Sequence, residues 1–304
     1  MSSAVGRALL AVTDRAPVRK LLTDTGAGRR LSHRFVAGET LDQAAAVAAR
    51  LNREGRLVSL DHLGEHVSDR AEALAAKDDY LSCLDRIAAE GLDANISVKL
   101  TQLGLGLDDG LATDSLRELA KRAAATDTTV TVDMEESRYT EATIVAYETV
   151  QSELGNLGIA VQAYLHRSRA DLDRLIPLGG HIRLCKGAYA ESPDVAYQRR
   201  EDVDAAFDRL LRVLMASPQV RPAIATHDDD RIALAIELAA EREEPWEFQM
   251  LYGVRRDLQD RLVRRDHHLR VYVPYGSAWY PYLTRRLAER PANLVFFLRA
   301  AVGR

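Results

Sequence analysis

Short runs of β-branched and aliphatic residues recur along this chain. They lie at Leu57–Leu60, Ile96–Leu100, Thr129–Val132, Ile159–Leu165, Ile182–Cys185, Ala223–Thr226, Phe248–Leu251 and Leu269–Val273. Between them lie segments rich in Ala, Leu, Glu and Arg with helical spacing, among them Ala71–Ala89, Asp204–Met215 and Ile232–Glu241. Strands alternating with helices build α/β folds, and eight such units are the count of a (β/α)8 TIM-type barrel. At 304 residues the chain is long enough for two small domains or one such barrel. No Pro/Gly/Ser-rich linker and no run of like charge marks a boundary, so a single domain is expected. Residues 57–304 would form the barrel. Residues 1–56, which include the helical stretch Leu41–Arg53, would add N-terminal helices that pack on it.

Composition excludes several function classes. Lys and Arg number 41 against 45 Asp and Glu, a formal charge of −4 that gives no attraction to nucleic acid. Cys83 and Cys185 are the two cysteines, too few for a disulfide framework and in keeping with a reducing, cytoplasmic setting. The opening MSSAVGRALLAVTDR has neither a long apolar core nor an Ala-x-Ala cleavage site, so no secretory signal is expected. No apolar stretch approaches the ~20 residues that span a bilayer.

Polar residues gather at the ends of the strand runs. Asp61 and His62 end the first, Lys99 the second and Asp133 the third, while Gln162 and Tyr164 lie on the fourth. Arg183 and Lys186 belong to the fifth, Thr226 and His227 to the sixth, Gln249 and Leu251 to the seventh and Tyr272 to the eighth. Active sites of (β/α)8 barrels form where the C-terminal strand ends meet the βα loops. So many chemically capable side chains at one predicted rim are hard to attribute to packing.

Two motif matches fail on context. His62-Leu63-Gly64-Glu65-His66 fits the H-x-x-E-H zinc pattern, which needs both histidines on one helical face. Here the first His ends a strand and a Gly interrupts the motif, so a loop is expected and no metal. Gly104, Gly106 and Gly110 follow a strand, but the dinucleotide fingerprint needs its third Gly where Asp109 stands. Cys185, inside a strand, is expected to be simply buried.

The segment Tyr275–Asn293, YGSAWYPYLTRRLAERPAN, reads as a helix following the last strand. At about 3.6 residues per turn, Tyr282 shares a face with Arg285 and Arg286, and a guanidinium pair matches the fork of a carboxylate. With Lys99 as a third cation and Asp133 as the opposing anion, the rim suits a small zwitterion. Tyr272, Tyr282, Tyr189 and Leu251 could wall its apolar part. The bland alternatives are a solvated Arg pair salt-bridged to Glu289, a snorkelling Lys99 and a helix-capping Asp133.

The words ISVKLTQLG, TVDMEES, VQAYLHRS, RLCKGAY, ATHD, EFQMLYGV, VYVPYG and YLTRRLAERPAN run in this order from Ile96 to Asn293. In this the chain resembles the monofunctional proline dehydrogenases, the flavin-dependent proline oxidase family. The resemblance implies a barrel with non-covalent FAD that oxidises L-proline to Δ1-pyrroline-5-carboxylate. It implies that Arg285 and Arg286, helped by Lys99, bind the proline carboxylate. Asp133, Tyr272, Tyr282 and Leu251 would shape the pocket, with Tyr189 near flavin and substrate. Gln162, Arg183, Lys186, Gly187, Thr226, His227 and Glu289 fall in words that contact FAD, with Arg183 near the reactive N5. Electrons would pass to a quinone, which brings the enzyme to the inner membrane face as a peripheral protein. With no aldehyde dehydrogenase segment present, a separate pyrroline-5-carboxylate dehydrogenase would act next.

The resemblance has departures. The word usually read ATHN ends in Asp228, Cys185 stands where Val is usual, and Ala190 stands where some members have Trp. Hydroxyproline is the alternative substrate on the same fold. A different chemistry, a Schiff-base aldolase using Lys186 or Lys99, is the main rival enzyme, and a catalytically dead binding barrel is a second rival.

Overall fold

Successive strand residues face opposite ways, and in this chain the two faces differ in kind. Val58, Leu60, Ile96, Val98, Val130, Val132, Ile182, Leu184, Phe248, Met250, Val271 and Val273 form one set, all buried. The residues between them are Ser59, Asn95, Ser97, Thr131, Arg183, Gln249, Arg270 and Tyr272. The computed structural model describes residues 33–289 and closes these segments into a parallel barrel. Its strands are β1 (Leu57–His62), β2 (Ala94–Val98), β3 (Val130–Val132), β4 (Leu157–Gln162), β5 (His181–Cys185), β6 (Arg221–Ala225), β7 (Glu247–Leu251) and β8 (Leu269–Tyr275). β8 returns to pair with β1, with Ser59 beside Tyr272. The fold is the (β/α)8 barrel expected from the eight runs.

The helices are α1 (Leu41–Arg53), α2 (Arg70–Glu90), α3 (Asp109–Ala125), α4 (Ser137–Leu154), α5 (Ser168–Leu175), α6 (Arg200–Met215), α7 (Asp229–Ala239), α8 (Arg256–Val263) and α9 (Trp279–Glu289). Their apolar faces meet the outward strand residues in one continuous core. Strand ends differ from expectation where turns compete. The fourth strand stops at Gln162 because Leu165 N–H bonds back to the Gln162 carbonyl at 3.2 Å. The second stops at Val98, ahead of a 3-10 turn at Leu100–Leu103.

α1 is more than an addition. It packs against β1 and β8, the groove that a helix after the eighth strand would otherwise cover. A capping box between Thr40 and Gln43 fixes its start, and it buries Ala44, Ala45, Ala48 and Leu51. α9 instead contributes Trp279, Tyr280, Tyr282 and Leu283 to a separate apolar cluster with Phe35, Val36 and Leu63. Leu63 directly follows β1, so this cluster sits at the C-terminal mouth of the barrel. Among the described residues no helix is long and apolar enough to cross a membrane. Residues 1–32 and 290–304, the ends of the two expected segments, lie outside the described residues.

Polar side chains dominate the lumen, with Gly158, Ala160, Ala223 and Ala225 making room for them on the same face. Thr131 Oγ1 lies 2.6 Å from His181 Nε2 and accepts from Asn95 Nδ2 at 3.0 Å. Arg270 donates to both oxygens of Glu247, at 2.7 and 3.1 Å. Thr131 and His181 belong to β3 and β5, which are not neighbours, so they meet only inside the barrel. Gly158 lies beside His181 in the β4–β5 register, and a Cβ there would overlap the imidazole. Burial lowers the His181 pKa to about 3. Below the unfolded pKa of about 6.5, the unfolded chain takes up a proton that the native imidazole refuses. Its stabilising effect is therefore complete above about pH 6.5 and is lost as the pH falls towards 3. Urea titrations should show His181 costing up to about 1.4 kcal/mol per pH unit across that window, and His181→Gln should remove this component of the slope.

Candidate active site

Asp133 follows β3 at the C-terminal mouth, and its carboxylate organises what surrounds it. Ser97 of β2 donates to Oδ1 at 2.9 Å, and Arg183 Nη1 of β5 donates to the same oxygen. Tyr272 of β8 donates its hydroxyl to Oδ2 at 2.7 Å, and Lys99 Nζ stands 3.7 Å away. Lys99 in turn donates to Asp61 Oδ1 at 2.7 Å. Arg183 also donates from Nε to Gln249 Oε1 and from Nη1 to Ser97 Oγ, and its guanidinium lies 5.2 Å from the Tyr272 ring centroid. The bland readings of Lys99 and Asp133 do not survive, while that of the Arg pair falls on side chains outside the described residues. Lys99 is 7% exposed and paired, not snorkelling, and Asp133 caps no helix, since α4 begins two residues beyond Glu135 without a side-chain cap.

The electrostatics follow from burial against pairing. Burial pushes the Asp133 carboxyl up, but Arg183, Lys99 and the hydrogen bonds from Tyr272 and Ser97 outweigh it and hold it below the ordinary range. Burial opposes the Lys99 ammonium, and the negative charges of Asp61 and Asp133 more than restore it. Asp61 is held up by burial and by its neighbour Asp133, and its Oδ2 is buried with no hydrogen-bond partner among the described residues. Glu135, accepting from Thr101 N–H and hydroxyl, is likewise raised by burial.

The expected site residues do not all converge. Gln162 belongs to the lumen side, donating to the Glu135 carbonyl at 2.9 Å and accepting from Ala188 N–H at 3.3 Å. Cys185 pairs with Gln162 across β4 and β5 and is half-buried, so it is not the fully buried strand residue expected. Lys186 lies on the opposite side of the strand from Arg183. It forms salt bridges to Asp204 of α6 and to Asp228, the N-cap of α7. Asp228, where Asn is usual in the resembling sequences, thus supplies a second carboxylate to this lysine. Gly187 has φ +120, and a Cβ there would overlap the Tyr164 ring, so local packing alone demands glycine. Tyr189 is half-buried in the same loop.

Thr226 is buried and its hydroxyl accepts from Asp228 N–H at 3.1 Å. His227 Nε2 accepts from Leu251 N–H at 3.1 Å, which ties the ends of β6 and β7 together. Leu251 is half-buried at the tip of β7. Tyr282 is buried on α9 at the mouth. The α9 backbone extends through Arg285, Arg286 and Glu289, whose side chains lie outside the described residues.

The histidines of the HLGEH word diverge. His62 ends β1 and stacks on Tyr275 at 5.1 Å, while His66, in a loop at φ +53, faces Glu136 at 3.2 Å. One contributor escaped the reading of strand ends: Ser97, which donates to Asp133 and accepts from Arg183. It lies two residues before Lys99, so period-2 spacing would have placed it on the same face.

Arg183 Nη2 is buried and without a partner among the described residues. A guanidinium held by Asp133, Ser97 and Gln249 with one N–H₂ group unmatched is built to receive an acceptor from the mouth. The residues present thus fit a flavin, whose ring offers such acceptors and whose reduced form a fixed cation stabilises.

A family model for proline dehydrogenase matches residues 44–299. Proline dehydrogenase 1 of Bacillus subtilis (strain 168) is 40% identical over 276 residues, covering 90% of this chain and 91% of that protein. Proline dehydrogenase of Deinococcus radiodurans is 34% identical over 302 residues, 96% of each. The crystal structure of proline utilization A from Bdellovibrio bacteriovorus superposes with a TM-score of 0.82 over 92% of this chain, at 23% identity, a likeness of fold. This chain spans 36% of that one. From its matched length and its relatives alike, the chain belongs to the proline dehydrogenase family.

Proposed function

We propose that this protein oxidises L-proline to Δ1-pyrroline-5-carboxylate, the first step of proline catabolism, with FAD held non-covalently and a quinone as electron acceptor. Family membership supports the reaction. The observation that carries the site assignment is the buried Arg183 guanidinium, fixed on Asp133 and Gln249, with Nη2 unmatched among the described residues at the barrel mouth. FAD, when bound, accepts the two electrons removed as the N–C5 bond of proline becomes a double bond.

The chain's own residues bind and orient. Arg285 and Arg286 of α9 take the proline carboxylate, and a bidentate pair of anchors leaves a five-membered ring few poses. Tyr272, Tyr282, Tyr189 and Leu251 wall the ring. Asp133 works as a positioning residue. Its carboxylate is held ionised and already accepts from Ser97, Arg183 and Tyr272, so it locks the Tyr272 ring and the Arg183 fork in place. Lys99 balances two carboxylates next to the pocket and keeps them from repelling the substrate. Gln162, Thr226, His227, Lys186, Gly187 and Glu289 are assigned to the flavin's surroundings by family similarity. The acceptor reaction would take place at a membrane surface, and a separate dehydrogenase would consume the product.

The purified protein should show a flavin spectrum that bleaches when L-proline is added without oxygen. A colourless protein that FAD cannot reconstitute, and that borohydride traps with a carbonyl substrate, would overturn the proposal in favour of Schiff-base chemistry. Arg286→Lys should raise the KM for proline by roughly 10- to 100-fold with FAD content unchanged, because an ammonium cannot make the bidentate contact. Arg183→Lys should slow anaerobic flavin reduction by roughly 10- to 100-fold, or release flavin on dialysis, since about 1.5–3 kcal/mol of charged hydrogen bonding is removed. Wild-type reduction with tightly held flavin would remove Arg183 from that role.

A further inference from the structure

A cavity of about 420 Å³ opens on the outer wall of the barrel, between the C-terminal half of α1 and α8. We infer that it is a binding site for a small dianion of the phosphate or dicarboxylate class. Four guanidiniums, those of Arg50, Arg56, Arg256 and Arg264, line it against the two carboxylates of Glu54 and Asp260. Both carboxylates are already committed. Arg56 donates from Nη1 to Glu54 and from Nη2 to Asp260, and Glu54 also takes Arg50 Nη1 at 2.9 Å. Arg256 and Arg264 form no ion pair among the described residues, though the Arg256 guanidinium lies 5.8 Å from the Tyr252 ring centroid, so the lining carries two guanidiniums more than carboxylates.

The buried partner is Arg56. It is 7% exposed, and its Nε is buried with no hydrogen-bond acceptor among the described residues. A buried N–H left unmatched beside surplus positive charge calls for an anionic acceptor, and guanidinium forks fit phosphate and carboxylate oxygens. Tyr252, which receives Arg50 Nη2 at 3.4 Å, adds a hydroxyl that can donate to such a ligand. The volume lies at the small end of ligand pockets, which sets the size of the occupant. One wall residue links the cavity to the neighbourhood of the proposed proline site. Gln259, in its wall, donates to the carbonyls of Leu251 at 3.1 Å and Val254 at 3.0 Å, joining α8 to the tip of β7.

The site can be tested on the intact, flavin-loaded protein by calorimetry and thermal melting, with inorganic phosphate and succinate titrated separately at ionic strength matched with sodium chloride. One saturable site per chain and a ligand-dependent rise in Tm are expected for at least one of the two. The responder identifies the phosphate or the dicarboxylate class. Arg256→Ala with Arg264→Ala, both at exposed positions, should weaken binding by about tenfold or more. Arg264→Gln alone gives a milder check should the double variant be unstable. Absence of saturable binding by both ligands, or binding that these variants leave unchanged, would overturn the inference.

Discussion

One carboxylate governs the barrel's upper lumen. Asp133 is deep enough that an unmatched charge would be costly, and it is matched by a serine, an arginine, a tyrosine and, at longer range, a lysine from three other strand ends. Removing it would leave the Arg183 guanidinium without its carboxylate and Lys99 with Asp61 alone. Each of its partners is therefore fixed in direction, which a binding site needs before any ligand arrives. The electrostatics of the mouth are the solution to that single burial problem.

The same logic continues downwards. From Asp133 the contacts run through Arg183 to Gln249, from Gln249 to Glu247 and from Glu247 to Arg270, which also reaches Asn95. Most barrels of this type fill the lumen with branched aliphatic residues. Here the interior is a hydrogen-bonded column, and the hydrophobic effect acts almost wholly between strands and jacket helices. Such a column is specific because a half-satisfied network is worse than an apolar one. It fixes register as well as stability, since sliding one strand by two residues would break bonds to strands it does not touch.

Much of this was legible beforehand. The eight aliphatic runs and their intervening helices determine the fold, and the polar residues that end them mark the mouth. Order in the sequence does not reveal who meets whom across a closed barrel, because partners such as Tyr272 and Asp133 are 139 residues apart. Lys186 illustrates a second limit. It shares the word RLCKGAY with Arg183, from which the resemblance implies flavin contact for both, but odd spacing along a strand turns it outwards to Asp204 and Asp228. Gly187 illustrates a third, since a glycine in a functional word also has a steric reason to be there.

The position of α1 carries a consequence for how the chain assembles. Its resting place is a groove between the first strand and the last, so the surface that its alanine face needs exists only once β8 has been made. During synthesis the helix emerges early and waits through more than two hundred residues for its partner. Closure of the sheet and docking of this helix thus become one late event, and the ring cannot seal around an incomplete interior. A chain stopped short of β8 would carry an orphaned apolar helix and an open sheet edge together, the two features by which quality-control proteases and chaperones recognise unfinished proteins.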